Sequence, residues 1–257
     1  MKNWRRGFGV CDRGRETFRN VGERGNGDRA VTLRVCVSVL PETVAEALEL
    51  IEKAEKQGAD FIEIRLDTLR EYNTLSDIPA CSKVPMIATN KSAKHHGKFL
   101  GSETERKQTL LNAAEKGFEY VDLDLSTSEL ESIVSDVHGM GVKSIISFHD
   151  FNETPSLSKM EEILKKEIAS GADVCKIVTT AKSVEDNLTV LNFVSKACKN
   201  AKTVCFCMGE LGKTSRLLSP LFGGFFTFAS LERGKETAAG QLTIQEMRAV
   251  YKTLGLI

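Results

Sequence analysis

The sequence predicts an α/β protein, a (β/α)8 TIM barrel over residues 31–257. Three observations predict it. Eight short strand-like runs follow one another, most of them separated by a helical pattern. Four helix-to-strand joints, QGADFIEI, KGFEYVDL, MGVKSIIS and SGADVCKI, each place a glycine just before the strand. Finally, several strands carry charge at every second position. An open doubly wound sheet, the competing architecture, buries both faces of its strands and wants them apolar throughout.

LRVCVSV (33–39) is the first strand. The helix after it starts at a capping box, Thr43 with Glu46, places Val44, Ala47, Leu48, Ile51 and Ala54 at helical spacing, and stops at Gly58. FIEIRL (61–66) is the second strand, with Glu63, Arg65 and Asp67 in one phase and Ile62, Ile64 and Leu66 in the other. PMIAT (85–89) is the third, followed by a helix over 103–116. YVDLDL (120–125) repeats the alternation with Asp122 and Asp124, before a helix over 127–138. KSIISF (143–148), DVCKIV (173–178) and TVCFCM (203–208) are strands five to seven, with helices over 156–170, 182–198 and a short one near 214–220. FFTFA (225–229) is the eighth strand and 241–253 the last helix. Gly58, Gly117, Gly141 and Gly171 are the expected C-terminal caps. The one-sided charges place a polar site at the mouth formed by the strands' C-terminal ends.

Composition narrows the class. There are 35 Lys+Arg and 35 Asp+Glu, so the chain as a whole is no polyanion binder. Residues 1–30 hold eight basic and four acidic residues, six glycines and no apolar period, and read as a basic, disordered extension. They lack the apolar core of a secretory signal and carry too many acids for a transit peptide. The longest apolar run, LFGGFFTFA, is too short to span a bilayer, so the expectation is a cytoplasmic protein without membrane contact. The seven cysteines show no paired metal-ligand spacing and read as buried thiols; no metal site is expected.

Three residues carry candidate chemistry. His149 ends the fifth strand in phase with Ser147 and Ile145, where it is either a structural hydrogen-bonder or a general acid/base. Lys176 lies inside an apolar strand. Burial is expected to lower its pKa and leave a neutral amine able to attack a ketone; the plainer reading pairs it with Glu63 or Asp122. Arg216, after the seventh strand, is placed to grip a carboxylate by two hydrogen bonds or else to form a surface salt bridge. Thr237 and Gln241, after the eighth strand, suit a polyol, although Gln241 could equally help to start the last helix. The stretch CFCMGELGKTS resembles a P-loop only in its Gly212-Lys213-Thr214 ending, since Cys207 stands where the first glycine belongs and Pro220 cuts the helix short.

From about residue 33 to the C-terminus the chain resembles the type I 3-dehydroquinate dehydratases. The resemblance rests on VSV with Ser38, EIRLD with Glu63 and Arg65, FHDFNETP with His149, CKIV with Lys176, SRLLSPLFGGFFTFA with Arg216, and TAAGQLT with Thr237 and Gln241. It implies that Lys176 forms a Schiff base with the ketone of 3-dehydroquinate and that His149 moves the protons of a syn elimination. It also implies that Arg216 clamps the carboxylate, and that Ser38, Glu63, Arg65, Thr237 and Gln241 hold the hydroxyls and ketone. No cofactor is implied, because the iminium is itself the electron sink, and a homodimer is expected.

One stretch departs from the family pattern of Arg-Ser-x-x-Glu-Gly-Gly after the third strand. Here it reads NKSAKHHGKF, with Lys91 in the arginine position, where it is expected to bind substrate with its charge but without the bidentate fork, and His95 in that of the glutamate that partners the catalytic histidine. Either Asp122 or Asp124 then compensates, or the pKa of His149 is lower. Two other functions stay open. A class I aldolase would share the sixth-strand lysine and bind phosphate after strands seven and eight, for which the late glycines are candidates. A non-catalytic module would engage nucleic acid through the basic arm; the expectation is that no nucleic acid is bound.

Overall fold

The computed structural model describes residues 32–257; the extension of residues 1–30 lies outside the described residues. Eight parallel strands follow the chain around a nearly closed barrel: β1 (Val35–Val39), β2 (Phe61–Arg65), β3 (Met86–Thr89), β4 (Tyr120–Asp124), β5 (Lys143–His149), β6 (Val174–Thr180), β7 (Thr203–Met208) and β8 (Thr227–Ser230). From β1 to β7 each strand pairs with the next, and β8 pairs with β1, Cys36 opposite Phe228. At the remaining seam the Phe225 amide donates to the Thr203 carbonyl at 2.8 Å. A doubly wound sheet would break this cyclic order.

Helices α1 (Val44–Lys56), α2 (Asp77–Ala80), α3 (Glu103–Glu115), α4 (Leu130–Gly139), α5 (Leu157–Ala169), α6 (Glu185–Ala197) and α7 (Lys213–Leu218) connect the strands, and α8 (Ile244–Thr253) follows β8. Thr43 caps α1, accepting from the Glu46 amide at 3.1 Å. Gly58, Gly117, Gly141 and Gly171 all adopt positive φ, the left-handed step that turns a helix end into the next strand. Two differences from the sequence expectation have local causes. Helix α4 starts at Leu130 rather than 127, because Glu129 takes a left-handed conformation (φ 58°) that interrupts the helix. Helix α8 starts at Ile244 with Thr243 and Glu246 forming its capping box, so Gln241 precedes the helix and does not cap it.

Period two separates the two faces of each strand. Outward residues such as Val37, Ile62, Ile64, Val121 and Ile146 join the helices in the outer core. Inward residues form layers. The lowest, Cys36, Phe61, Ile87, Tyr120, Ile145, Val174, Val204 and Phe226, is apolar and seals the floor. One pleat higher the same phase presents Ser38, Glu63, Thr89, Asp122, Ser147 and Lys176, with Phe206 and Phe228 completing the ring. Among the described residues, no helix is long and apolar enough to cross a membrane.

Candidate active site

The polar layer opens into a cavity at the C-terminal mouth. Ser38, Glu63, Arg65, Lys91, His149, Lys176, Arg216, Thr237 and Gln241 all line it, so the structure brings together every site residue expected from sequence.

Lys176 is buried, and its ammonium donates to Asp122 Oδ2 at 2.8 Å, lies 3.6 Å from Glu63 Oε1 and sits 4.4 Å from the centre of the Phe228 ring. The expected neutral amine is corrected here. Burial pulls its pKa down, but Asp122 and Glu63 outweigh burial and hold it above the ordinary lysine range. Lys176 is thus both buried and paired, and rests as an ammonium.

The acids are themselves fully engaged. Ser38 Oγ donates to Glu63 Oε2 at 2.5 Å and Thr89 Oγ1 to Glu63 Oε1 at 2.9 Å. Asp122 takes a second ammonium, Lys91 Nζ, at 2.8 Å and the Ser147 hydroxyl at 2.8 Å. Burial alone would raise its pKa, yet Lys176 and Lys91 together push it far below the usual carboxylate range. Lys91 also donates to Asp124 Oδ1 at 3.1 Å and Ser147 Oγ at 2.9 Å. Arg65 directs a bidentate fork at Asp67 (2.8 and 2.7 Å), and Asp67 in turn accepts the Lys98 amide at 2.9 Å, tethering the loop after β3. Gly97 is required in that loop, because a Cβ there would lie 1.9 Å from the Lys91 carbonyl oxygen.

His149 has its Nδ1 shut away from solvent with no hydrogen-bond partner, and its ring stacks on Phe151 at 5.8 Å. Neither Asp122 nor Asp124 replaces the missing glutamate: Asp122 serves the two lysines, and Asp124 Oδ1 faces His95 Nδ1 at 3.3 Å. The other alternative holds. Burial first, then the charges of Lys91 and Lys176, push the His149 pKa well below the ordinary imidazole value.

Arg216 is the largest fully buried side chain among the described residues. Its guanidinium lies 4.3 Å from the centre of the Phe206 ring, and Nε and Nη2 have no hydrogen-bond partner. Burial pulls its pKa down to about 10, so it remains a cation at neutral pH. Beside it, Gln241 Oε1 accepts from the Thr237 amide at 2.8 Å and the Thr237 hydroxyl at 3.3 Å, leaving the amide NH2 to donate. Lys213 of the Gly-Lys-Thr triplet instead pairs with Glu210 at 2.6 Å on the surface. Gly223 and Gly224 precede β8, at the barrel end opposite the mouth, which removes them as a phosphate cradle for an aldolase.

Sequence reasoning missed Thr89, Phe206, Phe228 and Phe151 as cavity-lining residues. The first three were accessible from phase, since each occupies the inward register of its strand. Phe151 lies beyond the end of β5, where no periodicity applies.

A nearly closed barrel whose mouth gathers a buried lysine, a histidine with an unpartnered Nδ1 and an arginine with two unpartnered nitrogens has the form of a (β/α)8 enzyme. Comparison with known proteins narrows the class. The profile of the family described as type I 3-dehydroquinase matches residues 35–257. The chain is 37% identical over 206 residues to a 3-dehydroquinate dehydratase of Dehalococcoides mccartyi, covering 80% of this chain and 90% of that protein. It is 35% identical over 223 residues to one from Methanococcus maripaludis, covering 86% and 100%. The crystal structure of the Geobacillus kaustophilus 3-dehydroquinate dehydratase superposes with a TM-score of 0.79 at 24% identity, over 87% of this chain and 91% of that one, a likeness of fold. The chain belongs to the type I 3-dehydroquinase family and is a hydro-lyase of the 3-dehydroquinate dehydratase type.

Proposed function

We propose that the enzyme dehydrates 3-dehydroquinate to 3-dehydroshikimate through a Schiff base on Lys176, by syn elimination. The observation that supports this reading is Lys176 itself, a buried lysine that lines the cavity. Substrate enters with its carboxylate on Arg216, whose Nε and Nη2 lack partners. That contact places the C3 ketone at Lys176. The ammonium loses its proton, and the amine adds to C3 and expels water to leave an iminium. The iminium acidifies C2–H by accepting the electron pair. His149 is a neutral base at neutral pH, because its pKa is depressed, and takes the C2 proton. It returns that proton to the C1 hydroxyl as it departs, and one base serving both positions requires both bonds on one ring face. Hydrolysis of the iminium then frees the product and Lys176. Gln241, Glu63 and Ser38 line the path of the hydroxyls and ketone.

The test is substrate stereospecifically deuterated at C2. Loss of only the hydrogen on the same face as the C1 hydroxyl, with a primary isotope effect removed in His149→Ala, is expected. Loss of the opposite hydrogen would refute the syn assignment to His149.

A further inference from the structure

An arginine that takes a substrate carboxylate must be held in place and yet keep its hydrogen-bonding edge free, and these demands conflict. A buried guanidinium is ordinarily held by acids, which take up its N–H groups. Asp67 holds Arg65 in this way, and Glu103 holds Arg106. A guanidinium so held spends its donors on the protein. Arg216 is held differently. It is fully buried, yet among the described residues no carboxylate pairs with it, and Nε and Nη2 make no hydrogen bond. What it meets is a ring: the guanidinium carbon lies 4.3 Å from the centre of Phe206. A ring attracts a cation through its electron-rich face and consumes none of its donors.

Strand phase supplies this ring. Along β7, Val204, Phe206 and Met208 face the barrel axis, while Cys205 and Cys207 pack toward the helices. Phe206 stands opposite Val178 of β6, is 2% exposed and lines the cavity. Phe228 of β8 fixes its tilt from the other side, the two rings meeting edge to face at 6.1 Å. Phe228 carries Lys176 over its own face at 4.4 Å. Two neighbouring rings thus bear one cation each, and their packing sets the spacing between Arg216 and the amine.

We propose that Phe206 is a positioning residue for substrate recognition: its ring face holds the Arg216 guanidinium at the cavity wall with its nitrogens free for the substrate carboxylate. This rests on the reading that Arg216 takes the carboxylate, and deepens it. Without the ring's attraction, the free enzyme would relieve a desolvated charge by letting the guanidinium swing toward water at the mouth. Substrate would then have to draw it back on binding. The ring removes that cost in advance. Because the carboxylate is remote from the bonds that break, the gain applies to substrate and transition state alike and falls on KM rather than kcat.

The test alters the charge on the ring face and leaves its shape nearly unchanged. In the full-length enzyme Phe206 is replaced by phenylalanines carrying one, two and three ring fluorines, which drain the π face stepwise while the ring stays apolar. Steady-state turnover of 3-dehydroquinate should show KM rising with each fluorine, by roughly 2- to 30-fold at the third, with kcat little changed. Phe206→Leu, which has no ring, should raise KM at least as far. In Arg216→Met, whose KM is already raised, the fluorine series should have no further effect, because the ring has no cation to hold. A KM that stays flat across the series in the enzyme with Arg216 would overturn the proposal, since a merely apolar role does not respond to fluorine. An equal rise in the Arg216→Met background would also overturn it, because the ring would then act on the substrate directly. Wild-type KM in Arg216→Met itself would instead refute the carboxylate clamp, and this proposal with it.

Discussion

Replacing Arg216 by methionine separates stability from function in a way few active-site substitutions do. The guanidinium is fully buried, touches Phe206 and has two nitrogens without a partner. In the free enzyme it is a desolvated charge, which costs several kcal/mol, set against about 0.5–2 kcal/mol from the aromatic face. Methionine is unbranched, fills a similar volume and keeps a favourable sulfur contact with the ring. Arg216→Met should therefore leave Tm unchanged or raise it, each kcal/mol counting for roughly 2–4 °C in a domain of this size. Binding moves the other way. Two hydrogen bonds from a cation to the substrate carboxylate are worth about 1.5–3 kcal/mol each, together ~3–6 kcal/mol. That corresponds to a loss of about 10²–10⁴ in kcat/KM. The assay is steady-state formation of the conjugated product by ultraviolet absorbance, beside a thermal melt of the same preparation. A Tm lowered by several degrees with kcat/KM within threefold of wild type would refute the carboxylate-clamp argument and make Arg216 a structural residue.

Other expectations follow from the charges around the lysine. Because His149 must be neutral to act and its pKa is depressed, the acid limb of kcat/KM should lie below the ordinary histidine value of about 6.5. His95→Glu replaces a ring whose charge lowers that pKa with one that raises it, so the acid limb should move up; an unmoved limb in the pH–rate profile counts against this electrostatic account. Asp122→Asn leaves Lys91 and Lys176 short of their shared anion, and breaking such a buried pair costs about 3–5 kcal/mol, readable as a lower denaturation midpoint in urea. The native Asp122 carboxyl titrates far below its unfolded value of about 3.9. Its contribution to stability is thus present above that unfolded value and is lost as pH falls toward the native one, an acid dependence that Asp122→Asn should flatten.

Much of the site was legible because strand phase is a local property. Glu63, Asp122 and Lys176 are each conspicuous as charges in apolar runs, and period two alone turns them toward the barrel axis. Phase could not settle the protonation state of Lys176, because the sign depends on whether burial or the facing carboxylates win, and those come from β2 and β4 across the barrel. The same limit applied to His149: its sequence neighbours do not reveal that Asp124 turns to His95 instead. Helix α2, a single turn at Asp77–Ala80, went unseen because four residues carry no periodicity. The early start expected for α4 shows the converse, a helical pattern read through Glu129 when one left-handed residue had already broken it.

The proposed mechanism requires the ketone of the substrate to become covalently joined to Lys176. Borohydride reduction during turnover of 3-dehydroquinate, followed by peptide mapping, tests it most directly. Inactivation is expected, with a single reduced adduct on Lys176 and none in Lys176→Met. Undiminished turnover under borohydride, or an adduct on Lys91 in place of Lys176, would contradict it.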